Sequence, residues 1–88
     1  MKIKVKKYVY NVILDCASRG EQFDPEVWSY DNRKNAEKKL EEFYKEGLSD
    51  DYCYDKDESS MPDYIDLYMD GWYQQDHFHA HIERQEVE

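Results

Sequence analysis

A chain of 88 residues with 21 Asp and Glu against 12 Lys and Arg has a net charge of −9 and room for one modest core. Such a surface repels DNA, RNA and anionic membrane, which excludes direct nucleic-acid or membrane binding and points to a basic protein surface or a cation as counterpart. With 16% aromatic residues, nine of them Tyr, the chain is too hydrophobic to be disordered.

A second core needs roughly 50 further residues, so residues 1–88 are expected to form a single domain. Two cysteines, Cys16 in an apolar run and Cys53 in an acidic stretch, are too few for a secreted disulfide framework and read as free thiols of a reducing, cytoplasmic compartment. Residues 1–18 place lysines ahead of an apolar stretch as a signal sequence does. Asn11 and Asp15 interrupt that stretch, however, and it reads as a strand. No apolar run approaches the ~20 residues of a membrane span.

From residue 2 to residue 16 the period is two: Tyr8, Tyr10, Val12, Leu14 and Cys16 share one face, and Val9, Asn11, Ile13 and Asp15 the other. Ser18, Arg19 and Gly20 break this strand. After Pro25 the short alternating run Val27, Trp28, Ser29, Tyr30 returns as its antiparallel partner. Asp31 is a suitable N-cap for a helix over residues 32–46, whose apolar stripe is Ala36, Leu40, Phe43 and Tyr44. Gly47 is expected to end it in a left-handed conformation, with Leu48 folding back on Phe43.

Residues 49–60 read as an acidic loop. Residues 61–70 admit two readings. As a strand, Ile65, Leu67 and Met69 alternate with Asp66 and Tyr68. As a helix, Asp63, Asp66 and Asp70 gather on one side, with Ser60 as cap and Gly71 as stop. The helix separates polar from apolar more cleanly and is preferred. His77–Val87 alternates again, with Phe78, Ala80 and Ile82 opposite His77, His79, His81 and Glu83. The order β-β-α-(α)-β predicts an α+β fold: a small antiparallel sheet of about three strands, the first pairing with both others, and one main helix packed on one face.

The chemistry is concentrated in residues 46–70. There Glu46, Asp50, Asp51, Asp55, Asp57, Glu58, Asp63, Asp66 and Asp70 face one base, Lys56, and this stretch holds almost the whole charge surplus of the chain. Like charges crowded along one segment work against folding, so their concentration calls for a reason. Tyr52, Tyr54, Tyr64 and Tyr68 are threaded among them, and Tyr is favoured at recognition surfaces. Spaced carboxylates imitate nucleic-acid phosphates and suit a Lys- and Arg-lined channel. The expected partner-binding residues are therefore Asp50, Asp51, Tyr52, Tyr54, Asp55, Asp57, Glu58, Asp63, Asp66 and Asp70; the alternative is a solvated loop that serves solubility.

Two metal readings compete. Counting Asp55 as the first ligand of an EF-hand loop puts Asp57, Ser59, Met61, Asp63 and Asp66 at ligand positions. Against it, Ser60 stands where Gly is required and Asp66 where Glu is. His77, His79 and His81 project from one strand face about 7 Å apart, and two of them with Asp76 or Glu83 are candidate Zn²⁺ ligands. No second His or Cys cluster accompanies them, and no metal or other cofactor is expected. Neither a phosphate-binding loop nor a nucleophile motif is present, and no enzyme is predicted.

In size, acidity, aromatic content and layout the chain resembles the small proteins of phages and mobile elements, particularly anti-CRISPR proteins and other nucleic-acid mimics. The Tyr-rich acidic stretch carries that resemblance, and the basic amino terminus (Lys2, Lys4, Lys6, Lys7) departs from it. The resemblance implies an inhibitor or regulator that occupies the basic site of a nucleic-acid-binding protein such as a CRISPR effector, without chemistry. The alternatives are a small metal-binding protein built on the His-x-His-x-His strand and a homo-oligomeric structural protein that pairs through a strand edge.

Overall fold

The computed structural model describes residues 7–18, 21–49, 52, 54–69 and 76–87. They build an antiparallel sheet with one helix across one face. In chain order the elements are β1 (Lys7–Ser18), β2 (Glu21–Gln22), β3 (Glu26–Tyr30), α1 (Arg33–Gly47), β4 (Lys56–Asp57), β5 (Tyr64–Tyr68) and β6 (His77–Val87). The strands run β2-β1-β6-β5-β4 across the sheet, and β3 lies beside β2 on the same flank of β1.

The period-two pattern of the two long strands sets the architecture. β1 and β6 pair from Lys7↔Val87 to Ala17↔His77, so Val12, Leu14 and Cys16 come to lie beside Ile82, Ala80 and Phe78 on the face toward the helix. β5 adds Ile65 opposite Ala80 and Leu67 opposite Phe78. The helix closes this layer with Ala36, Leu40 and Phe43, and Phe78, Leu40 and Val12 are fully buried. Fully burying an apolar side chain of this size contributes about 1.5–3 kcal/mol, so the shared face of β1, β6, β5 and α1 is the main source of stability.

α1 begins one residue later than the sequence predicts. Asn32 is the cap, extended in backbone, and its Oδ1 accepts from the Asn35 N–H at 2.9 Å. The end of the helix departs from expectation more sharply. Gly47 is buried within the helix, and Leu48 follows as its cap with φ −88° and is 56% exposed, so the left-handed stop is not present. What Gly47 supplies is space. A Cβ there would lie 2.6 Å from Leu67 Cδ1 and 3.0 Å from Phe78 Cδ1, so the helix can approach β5 and β6 this closely only without a side chain.

Six strands form where about three are expected, and the second helix is absent among the described residues. Tyr64–Tyr68 is a strand. Its polar and apolar residues segregate well on a helix, but Ile65 and Leu67 alternate, and both are almost completely buried between β6 and α1. Tertiary burial of the alternating pair outweighs the local helical pattern. A tight turn feeds this strand: the Asp63 and Tyr64 N–H groups both donate to Ser60 O, at 2.8 and 2.9 Å, and the Ser60 N–H returns to Tyr64 O. Lys56–Asp57, inside the expected loop, pairs with Tyr68 and Leu67 as the outermost strand.

β2 and β3 are one edge strand interrupted by a bulge. Ala17 pairs with Gln22 and Leu14 with Glu26, so four steps along the edge cover three along β1. Pro25 lies in the interruption, where its missing N–H leaves no ladder position empty. No helix among the described residues is long and apolar enough to cross a membrane.

Candidate interaction surface

Among the described residues the acids of residues 46–70 do not share one face. Asp50, Asp51 and Asp70 lie outside the described residues. Of the tyrosines, Tyr52 and Tyr54 turn inward. Their rings stack at 5.6 Å, and Tyr52 meets the buried Phe78 edge-on at 5.4 Å. The Tyr54 hydroxyl lies 2.9 Å from Ala17 O and 3.0 Å from His77 O, donating into the end of the β1–β6 ladder. Burial, reinforced by nearby Cys16, Tyr52 and Asp76, pushes that phenol well above its ordinary value. These rings are part of the packing, and their place in the sequence among carboxylates says nothing about exposure.

The described carboxylates point three ways. Asp57, on the helix side of β4, accepts from the Tyr44 hydroxyl and, at 3.0 Å, from the Ser59 N–H. Desolvation opposes the charge on Asp57, but the donations from Tyr44 and Ser59 outweigh it and hold the carboxyl below its usual value. The same hydrogen bond, with a lesser contribution from burial, raises the Tyr44 phenol. Asp66, on the opposite face, pairs with His79 at 2.9 Å. Asp55, Glu58 and Asp63 are exposed around β4, where Asp63 accepts from Arg33 of the helix at 3.3 Å. Among the described residues, the exposed acids of residues 55–63 thus lie on the rim around the outermost strand.

The three histidines share the outer face of β6, as their spacing requires, and each finds its own carboxylate. His77 is 3.6 Å from Asp15 on β1, His79 pairs with Asp66 on β5, and His81 is 3.1 Å from Glu83. The His77 and His79 rings stack at 4.7 Å. Among the described residues no three His, Cys, Asp or Glu come together in a way that could hold a metal ion, which covers both the His-x-His-x-His set and the described residues of the EF-hand reading. Farther along this face a polar ladder crosses the strands: Ser29 Oγ donates to Asn11 Oδ1 at 2.6 Å, and Asn11 Nδ2 donates to Gln85 Oε1 at 3.1 Å.

A second acidic surface, not singled out in the sequence, lies on the opposite edge of the sheet. Between Glu21 and Asp31 the chain carries Glu21, Asp24, Glu26 and Asp31 and no Lys or Arg. The same segment holds three of the large exposed apolar side chains, Phe23 at 41%, Val27 at 59% and Trp28 at 46%. The signal was available as a run of four acids without a base, interleaved with aromatic residues. It was overshadowed by the longer run over residues 46–70, where nine acids face one base.

Between this edge and the end of the helix is a cleft of about 150 Å³ with apolar walls from Leu14, Phe23 and Tyr52 and with Asp24, Glu26 and Glu46 around it. Cys16 forms part of its floor as a free thiol. Burial, with lesser contributions from Glu26, Asp15 and Glu46, raises that thiol and disfavours its reactive thiolate. Cys53 lies outside the described residues.

In comparison with known proteins, no family model, no curated protein and no solved structure matches the chain.

Proposed function

We propose that the chain is a non-enzymatic interaction protein of the cytoplasm whose acidic surface occupies the basic site of a nucleic-acid-binding protein, as an anti-CRISPR-like inhibitor or regulator does. The observation that carries this reading is that Asp55, Glu58 and Asp63 are each exposed beside the outermost strand, within a stretch where nine acids face a single base. The rim is held in shape. β4 is paired to β5, the Glu58 N–H donates to Asp66 O at 2.8 Å, and Asp57 is bound to Tyr44 of the helix. Carboxylates on an ordered backbone lose less entropy on meeting a cationic partner than those on a free loop.

The test isolates a partner from the native host with the tagged chain and measures how well the chain displaces a labelled duplex from it. Affinity should fall steeply as salt rises from low to physiological, because a rim of surface charges is screened. Converting Asp50, Asp51, Asp55 and Glu58 to Lys should abolish displacement. Asp57 is left in place because its bond to Tyr44 supports the fold. A variant that is folded and displaces the duplex as well as the parent rejects the reading, as does binding insensitive to salt.

A further inference from the structure

We infer that the β2–β3 edge of the sheet is a docking site for an extended, Lys- or Arg-bearing segment of a partner protein, added as a further antiparallel or parallel strand. The inference rests on the reading that the partner is a basic protein, and it places the contact on the edge opposite the β4 rim.

Three observations converge there. First, β3 pairs with β1 along Glu26–Tyr30, and among the described residues no strand pairs with its other side. An unpaired strand edge presents a row of backbone donors and acceptors, which is the template for strand addition. Second, apolar side chains stand out from this edge on both faces of the sheet. Trp28 shares the helix side with Val12, and Val27 the outer side with Ile13, so alternate residues of an added strand meet an apolar contact on either face.

Third, the chemistry selects a cationic occupant. The cleft beside the edge has apolar walls from Leu14, Phe23 and Tyr52 and carboxylates from Asp24, Glu26 and Glu46. That combination suits a side chain with an aliphatic stem and a cationic head. The chain's own Lys39 illustrates the preference, with its Nζ 4.1 Å from the centre of the Trp28 ring. Charge also argues against a second copy as occupant, since two such edges would bring Glu21, Asp24 and Glu26 of each copy together with no base between residues 21 and 31 of either.

The probe is a capped heptapeptide of alternating lysine and valine, titrated into the full, ¹⁵N-labelled chain at low salt, with its glutamate–valine counterpart as control. The expected result is shift changes and slowed amide exchange concentrated in Glu21, Gln22 and Glu26–Tyr30, with binding at least about tenfold weaker in Glu26→Lys and in Asp24→Lys. Both positions are exposed, and an unchanged spectrum elsewhere verifies the fold of each variant. Changes confined to residues 55–58 and Asp63 overturn the inference while leaving the β4 rim as the acidic contact. Absence of binding, equal binding of the glutamate peptide, or changes in β3 that appear with protein concentration alone also overturn it, the last in favour of a second copy. Conversely, β3 binding by a chain that fails to displace duplex from its host partner would reject the proposed function and leave the docking edge standing.

Discussion

Tyr44 reaches from the helix to the outermost strand, and its hydrogen bond to Asp57 ties the acidic rim to the rest of the molecule. The bond leaves a signature at both ends of the pH scale. Asp57 is held below its ordinary value, so its contribution is present above about pH 4 and fades as pH falls through the folded value. Tyr44 is raised, so its contribution is complete below about pH 10 and is lost as pH rises past the value of the unfolded chain. Tyr44→Phe should therefore raise the Asp57 pKa, read from its carboxyl carbon by NMR. It should also cost about 0.5 kcal/mol at neutral pH, the low end for a hydrogen bond open to solvent. An Asp57 titration unmoved by the substitution would show that the bond does not form in solution. Gly47 makes the opposite kind of contribution, by what it lacks. Ala is the better helix former by about 1 kcal/mol, yet here its Cβ would press on Leu67 and Phe78, and overpacking a core costs about 1–3 kcal/mol. Gly47→Ala should thus lower the urea midpoint, and Leu67→Val, which removes Cδ1, should cost less in that background than in the parent. If Gly47→Ala stabilises the protein, the close approach of helix and sheet is not as described.

Elements whose hydrophobic period agreed with their final burial were legible from residues alone. β1, α1 and β6 are of this kind, β3 was legible from its alternation and turn signals although it stays exposed, and the pairing of β1 with both β3 and β6 followed. β5 was misread because two periods coexist in it. Asp63, Asp66 and Asp70 fall on one side of a helix, while Ile65 and Leu67 alternate as in a strand. The choice is made by Phe78 and Ala80 across the ladder, which no local window contains. β4 is too short to carry any pattern and exists because β5 offers it an edge. The acidic site was legible in composition only. A sequence gives the number of carboxylates in a segment but not the face each one takes. β5 sends Asp66 outward to His79 while β4 sends Asp57 inward to Tyr44. The acidic edge at β2–β3 was overshadowed, since its four acids are fewer than the nine of residues 46–70.

Across the whole molecule the two flanks of the sheet carry the same sign, Glu21, Asp24 and Glu26 on one and Asp55, Asp57 and Glu58 on the other, while the helix carries five bases against four acids. Sheet edges of like charge repel copies of themselves, which keeps an open edge from seeding aggregation and leaves it available to a partner of opposite sign. The arrangement has a thermodynamic cost, because the carboxylates of each flank repel within the fold as well. Several surface pairs work the other way, Arg33 with Glu37 and Asp63, Lys39 with Glu42 and Lys45 with Glu41. Exposed pairs of this kind are each worth about 0–1 kcal/mol, and salt weakens them together with the repulsion. With a net charge of −9 the repulsion should win, so raising sodium chloride from low ionic strength to about 0.5 M should stabilise the fold. A gain of about 1 kcal/mol corresponds to roughly 4–8 °C in melting temperature for a domain of this size. Chloride is the salt to use, because sulfate stabilises proteins by exclusion from the surface whatever their charge. A melting temperature that falls as chloride rises would mean that the helix ion pairs outweigh the repulsion of the flanks. In that case the crowding of acids carries no stability penalty for a partner to relieve.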